Sequence, residues 1–400
     1  MKWVFSLLVL LSLMVVLGLP LALAGLPVAP WTILLLAAAL VPVAIRIRLP
    51  PLDLEERWPR PLAILARIAL VLALALFVAK VVLAPLWSWD HYAIWGMKSR
   101  HLLEEGRLDL DFLSEPGFEH SVPNYPVGLP MLWRQLALGG LPRPGFFEAV
   151  HVLFGLALAA VTRRGLLRLG RSPGMADALT ALLAASPLFW DTVAVGLADL
   201  PLALWATAGL VLAFEGKSWP AGICLGFLPW IKEEGTSLAV LALIAAVLIA
   251  ERGRRFPLLV PAVLLIAGAE AVGRRLPDAL TFFVGDWKER ALARLSHPGE
   301  ILSALGSDLI AWDWLGFWLL FAATLAFALW KRNRTALLLA AVVLVQLGLY
   351  SAVYFLTYLP PVDHIRSSFT RIVAALVPLG ILAVGSVWDA RPRAGEPADG

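Results

Sequence analysis

Few side chains in this 400-residue chain could do chemistry, and they recur in short polar clusters between apolar runs. Asp90 sits in WSWDHYAIWGMK, which Lys98 closes. His120 and Tyr125 follow in EHSVPNYPVGLP. Asp191 and Asp199 bracket WDTVAVGLADLP. Lys232, Glu233 and Glu234 stand together in LPWIKEEGTS. Asp363, His364, Arg366 and Arg371 fall in PVDHIRSSFTR. A carboxylate can take a proton from a weak nucleophile or help to hold a divalent cation. An ammonium or guanidinium neutralises an anionic oxygen.

Each residue also has a plainer reading. Asp90 and Asp199 suit helix N-termini, the latter with Pro201 in the first turn. The tryptophans around Asp90 suit an interfacial belt. Arg100, His101, Glu104 and Glu105 suit a solvated helix face with i,i+4 pairs. His120 lies in a Pro- and Gly-rich loop. Lys232 and its two glutamates suit a local salt bridge at a helical hairpin, and Arg371 suits lipid phosphate.

The elements that must position these groups are set by composition. The chain is 60% hydrophobic and 16% charged, with mean hydropathy +0.81. A soluble chain of this length could not bury so much apolar surface, so the fold class expected is an all-α, polytopic membrane protein. Apolar spans are read near residues 3–24, 29–45, 62–86, 146–166, 175–190, 199–216, 219–231, 236–250, 257–273, 312–330, 336–356 and 371–388. That gives about 12 helices, most near the ~20 residues a bilayer needs. No segment alternates like a barrel strand, and helices satisfy their own backbone in lipid. The start, with Lys2 and Ala22-Leu23-Ala24, resembles a signal peptide. The run is long for one and another apolar segment follows at once, so an uncleaved first helix is expected.

Basic residues set the orientation. Arg46, Arg48, Arg57 and Arg60, then Arg163, Arg164, Arg168 and Arg171, then Lys217, then Arg252, Arg254 and Arg255, then Lys331, Arg332 and Arg334, then Arg391 and Arg393 all fall on one side if both termini are cytoplasmic. This is the positive-inside arrangement, with Arg274, Arg275 and Arg294 as exceptions. One transmembrane domain over 1–388 is expected, with a first outer loop at 87–145, a second at 274–311 and a cytoplasmic tail at 389–400. Within the loops, PVGLPMLWRQLALGGL is read as interfacial and DWKERALARLSHPGEILSALG as an amphipathic helix on the membrane. All the chemistry-bearing residues named above then gather on the outer side, as in one shared pocket.

The single cysteine, Cys224, offers no disulfide framework and no zinc knot. No Walker loop, dinucleotide fingerprint or serine elbow is present. The net charge of +4 sets orientation and gives no sign of nucleic acid. A transporter or lipid flippase would share the helices and the few charges, but no internal repeat is visible and the charges gather at one face.

The order of motifs resembles a known family. Trp89-Asp90 with Trp95 and Lys98 comes first, then His120 with YPVGLP from Tyr125, then GLADLPLA from Gly196, then KEEG from Lys232, then HIRSSFTR ending at Arg371. The chain resembles bacterial membrane glycosyltransferases of the C superfamily, relatives of protein O-mannosyltransferases and the aminoarabinose transferase of lipid A (family 39-like). The resemblance spans about residues 80–380. It departs where Asp90 is followed by His91 instead of a second acid, and where Glu233 precedes Glu234-Gly235.

The resemblance implies a polyprenyl-phosphate sugar donor and a lipid, glycan or protein acceptor at the outer face of the bacterial cytoplasmic membrane, among membrane lipids. It implies Asp90 as base, with Asp199 either helping to stabilise an oxocarbenium-like transition state or binding the acceptor. Arg371 and Lys232 would receive the phosphate. Lys98, His120, Tyr125, Glu234 and His364 would bind or position substrate. Some relatives use a divalent ion, for which Asp90, Asp199 and Glu234 are the candidate ligands.

Overall fold

A computed structural model describes residues 1–23, 47, 49–52, 54–84, 88–104, 111–114, 122–137, 145–187, 189–190, 196–276 and 285–387. Every regular element among them is helical. The expected span at 29–45, together with His120, Asp191 and the tail, lies outside the described residues.

The helices are α1 (Lys2–Leu23), α2 (Arg60–Leu83), α3 (Met97–Glu104), α4 (Gly128–Leu136), α5 (Phe146–Arg168), α6 (Pro173–Ala184), α7 (Asp199–Phe214), α8 (Ser218–Gly226), α9 (Leu228–Ile231) and α10 (Gly235–Ile249). They continue as α11 (Arg252–Gly273), α12 (Trp287–Ser296), α13 (Gly299–Leu309), α14 (Phe317–Trp330), α15 (Arg334–Leu356), α16 (Pro361–Ala374) and α17 (Val377–Val387). Two helices form the centre. α7 is buried from Asp199 to Ala213, and α17 along its whole length. α5, α8 and α10 surround α7, while α5, α14 and α15 surround α17. At the periphery α2 packs on α6 and leaves Leu62, Leu65, Val71, Leu72, Val82 and Leu83 exposed. An exposed helix face this long and this apolar belongs in lipid.

About 12 spans are expected, and the described helices differ in how many reach bilayer length on their own. Four described helices, α2, α5, α11 and α15, are long and apolar enough to cross a membrane, or five if the bent pair α16–α17 counts as one. The other apolar helices are shorter, including α7, α10 and α14. The expected span at 175–190 is the 12-residue α6. A helix encased in other helices, as α7 is, has no need to match the bilayer by itself. The expected last span, 371–388, is divided: α16 ends at Ala374 and the chain bends by 49° before α17. Pro378, which cannot donate to the preceding turn, sits at that break. Arg371 therefore belongs to the helix before the bend.

The two outer-loop expectations also change in detail. α4 is buried from Gly128 to Gln135, packed on α1 and α3, and does not lie on a surface. The 287–309 segment is two helices, broken at His297-Pro298.

The bundle has two chemically different ends. At one, Arg164 pairs with Glu215 at 2.7 Å, Arg163 and Arg67 share Asp177, and Arg334 donates to the Leu248 carbonyl at 3.1 Å. Among the described residues, the loops read as basic thus meet at one end. Asp90, Asp199, Lys232 and Arg371 lie at the opposite helix ends. Arg294, an exception to the charge pattern, has a local reason. It donates to the carbonyls of Thr357 at 2.6 Å and Leu359 at 3.1 Å, closing the C-terminus of α15.

Candidate active site

The site is assembled from four chain segments. The first is a π-helical stretch, Asp90–Gly96, that runs into α3. Gly96 fits there because a Cβ would come within 2.6 Å of the His91 carbonyl oxygen. Asp90 does not cap a helix. Its carboxylate accepts from Arg371 Nη1 at 2.7 Å, and both side chains remain partly open, at 26% and 30% exposure. Behind it His91 is buried among Trp133, Phe147 and His151. Burial pushes the His91 imidazole down to about 4, so it is neutral at pH 7.

The second segment is the start of α7. Gly196 takes a left-handed φ of 73°, and Asp199 opens the helix without making a side-chain cap. Its carboxylate goes to Lys232 Nζ at 2.9 Å instead. This pair is enclosed, with side-chain exposures of 2% and 6%. Lys232 also reaches Glu234 Oε1 at 3.3 Å. Burial alone would lower the Lys232 ammonium; Asp199 and Glu234 hold it above the ordinary lysine range.

The third segment is the turn from α9 to α10. Lys232 is extended, and Gly235 starts α10 so close to α9 that a Cβ would lie 2.1 Å from the Leu228 carbonyl oxygen. The fourth is α16, whose one face bears His364, Ser368 and Arg371. The His364 ring meets Tyr354 at 5.0 Å, and Tyr354 Oη shares a hydrogen bond of 2.9 Å with Ser368. Arg371 lies two turns beyond His364, ~10 Å along the axis.

Tyr125 reaches this group from the 122–127 loop. Its ring stacks on Trp95 at 5.6 Å between centroids. Lys98, fully buried, donates to the carbonyls of Val122 at 2.9 Å and Tyr125 at 3.1 Å. Burial lowers the Lys98 ammonium to about 7, with Glu233 opposing. Asn124 Nδ2 donates to Glu233 Oε1 at 3.0 Å, tying this loop to the KEEG turn. Solvent reaches part of the Glu233 side chain, yet desolvation of its carboxyl and the adjacent Glu234 push it up to about 7.

The structure therefore brings together Asp90, Tyr125, Asp199, Lys232, Glu234 and Arg371: Arg371 lies within electrostatic reach of the other five, and Lys232 within reach of Asp199, Glu234, Tyr125 and Arg371. Lys98 stands behind Tyr125 as an anchor of its loop. His364 is on the Arg371 face of α16, towards its N-terminal end. Three carboxylates, Asp90, Asp199 and Glu234, meet two cations. Each of these carboxylates already faces Lys232 or Arg371, and no group of three or more His, Cys, Asp or Glu among the described residues is arranged to hold a metal ion. As arranged, the set does not fit a divalent cation.

Sequence reasoning passed over Tyr350 and Tyr354. Tyr350 is buried in α15 within electrostatic reach of Glu234, Lys232 and Asp199. Only its position in an otherwise apolar span could have marked it.

The fold and the site define an all-α protein of membrane type with a charged cluster at one end of its bundle. No family model matches the chain, and neither a curated protein nor a solved structure matches it at a significant level.

Proposed function

We propose that the chain is a membrane glycosyltransferase that moves a hexosyl or pentosyl group from a polyprenyl-phosphate carrier to a lipid, glycan or protein hydroxyl. The observation that supports it most is the Asp90–Arg371 pair beside the Lys232–Asp199–Glu234 group, at the bundle end away from the basic loops. Under the positive-inside rule that end is the outer one, which agrees with an active site on the outer face of a bacterial cytoplasmic membrane.

The chemistry divides between the two groups. Asp90 takes the proton of the acceptor hydroxyl as its oxygen attacks the anomeric carbon. The bond from that carbon to the phosphate oxygen breaks, and polyprenyl phosphate leaves with the electron pair. Arg371 receives the phosphate. Its Nε is buried without a hydrogen-bond partner while Nη1 holds Asp90, so the guanidinium can engage both. As phosphate shares the guanidinium, its hold on Asp90 weakens and the carboxylate can bind the proton. Asp199, held by Lys232, adds negative potential near the developing oxocarbenium ion.

One observation favours a second reading. The 49° break between α16 and α17 is the kind of interrupted helix that transporters use. The test uses purified full-length protein in proteoliposomes with a radiolabelled polyprenyl-phosphate sugar. Release of polyprenyl phosphate with the label on an acceptor or on water supports transfer. Passage of intact lipid-linked sugar to the other leaflet, with no bond cleaved, supports the transporter and removes the transferase.

A further inference from the structure

The helix that carries Arg371 has a second working face. On α16, His364, Ser368 and Arg371 follow one another at helical spacing toward the reaction centre. Val362, Arg366 and Thr370 recur at i,i+4 on the opposite side. α16 packs against α13, in which Ile301 and Leu305 are buried. Beside this contact lies a groove of about 440 Å³, lined by Glu300, Ser303, Ser307, Asp308 and Arg366 over an apolar floor including Val362 and Ile365. This is an adequate volume for a small-molecule site, typically ~300–1,000 Å³.

Asp308 is the organising group. Its Oδ1 accepts from Thr370 Oγ1 at 2.7 Å, and its main-chain carbonyl accepts from Trp314 Nε1 at 2.8 Å. The Thr370 bond fixes where the carboxylate points, and the Trp314 bond holds the main chain that carries it. Its second oxygen, Oδ2, is buried with no hydrogen-bond partner. Burial already holds this carboxyl above the ordinary aspartate range.

The lining discriminates among ligands. Two carboxylates disfavour an anion such as phosphate. Arg366 disfavours a metal ion or an amine. Carboxylate acceptors, guanidinium donors and two seryl hydroxyls together match a neutral group that both donates and accepts at close intervals, which describes a polyol. We infer that the α13–α16 groove binds a neutral saccharide and, resting on the transferase reading, that this saccharide is the part of the acceptor remote from its reacting hydroxyl. The groove and Arg371 are about one helix diameter apart, ~10 Å, so the acceptor is longer than one sugar. Binding energy gained there would orient the acceptor for attack.

The experiment uses full-length protein in nanodiscs against an immobilised panel of neutral oligosaccharides, and in parallel against undecaprenyl phosphate. Asp308→Ala removes the organising carboxylate. Ser303→Trp fills the groove from an exposed position and guards against misfolding of the first variant. The expected result is oligosaccharide binding by the parent chain that falls at least about ten-fold in both variants, with undecaprenyl phosphate binding unchanged. Binding that ignores both substitutions overturns the groove, as does a parent chain that holds undecaprenyl phosphate but none of the oligosaccharides. A chain that binds oligosaccharide through the groove but not undecaprenyl phosphate keeps the saccharide site and removes its assignment as acceptor site.

Discussion

Arg371 and Asp90, 281 positions apart in sequence, meet through a hydrogen bond of 2.7 Å between Nη1 and Oδ2. The contact closes the site from two sides, joining the first polar stretch after α2 to the helix before the terminal bend. Neither group is sealed from solvent, so substrate can compete for both. Asp90→Asn keeps the shape and a hydrogen-bonding oxygen but removes the base. Transfer from a polyprenyl-phosphate sugar is expected to fall about 10²- to 10⁴-fold, with membrane insertion and protein level unchanged. Turnover near that of the parent chain, at equal protein, would remove Asp90 from the base role.

Lys232 and Asp199 behave differently because they are enclosed. Removing one partner of a buried ion pair leaves the other charge uncompensated, at a cost of ~3–5 kcal/mol, whereas replacing both with apolar groups is often nearly neutral. Lys232→Met is therefore expected to lower the unfolding midpoint in detergent sharply, and Lys232→Met with Asp199→Leu to recover much of the loss. Purely additive effects in that double-mutant cycle would mean the 2.9 Å contact contributes no coupling.

The same contrast marks what sequence could and could not reveal. Lys232 and Asp199 stood out because an ionisable residue at the end of an apolar run is expensive unless paired. Sequence gave no means of choosing their partners. Asp199 had the spacing of an N-cap, and only packing turned it to Lys232. The all-helical class followed from composition, but which apolar helices face lipid did not, because apolar helices buried by other helices look like lipid-facing ones. α7 and α2 have similar sequences by that measure and opposite surroundings. The burial of α4 likewise depends on contacts distant in sequence, whereas the bend has a local mark in Pro378.

Lys98 gives the pH dependence. Its folded value is about 7 against an ordinary 10.5. Between those values the unfolded chain binds more protons, so stability rises with pH across that window and the burial penalty is fully present below it. Lys98→Met cannot titrate and lacks this rise. Unfolding midpoints measured from pH 7 to 10.5 in detergent, for parent and variant, provide the check. Parallel curves would mean Lys98 stays charged, held by the Val122 and Tyr125 carbonyls. The variant also loses both bonds to the Tyr125 loop, so weaker substrate affinity is expected alongside retained turnover at saturation.

Gly235 ends the KEEG turn, and its role is steric. A Cβ there would stand 2.1 Å from the Leu228 carbonyl oxygen and 2.5 Å from its carbon, both main-chain atoms that cannot swing aside. Gly235→Ala must push the start of α10 away from α9. Overpacking of this kind costs ~1–3 kcal/mol, and the displaced turn holds both Lys232 and Glu234. The variant is expected to lose stability and to lose transfer by more than the stability loss accounts for, since Lys232 would no longer meet both Asp199 and Glu234. Gly253→Ala, in open space near the start of α11 at the opposite end of the bundle, is the matched control and should be silent in both measurements. Equal behaviour of the two variants would show that the close approach of α10 to α9 does not set the geometry of the site.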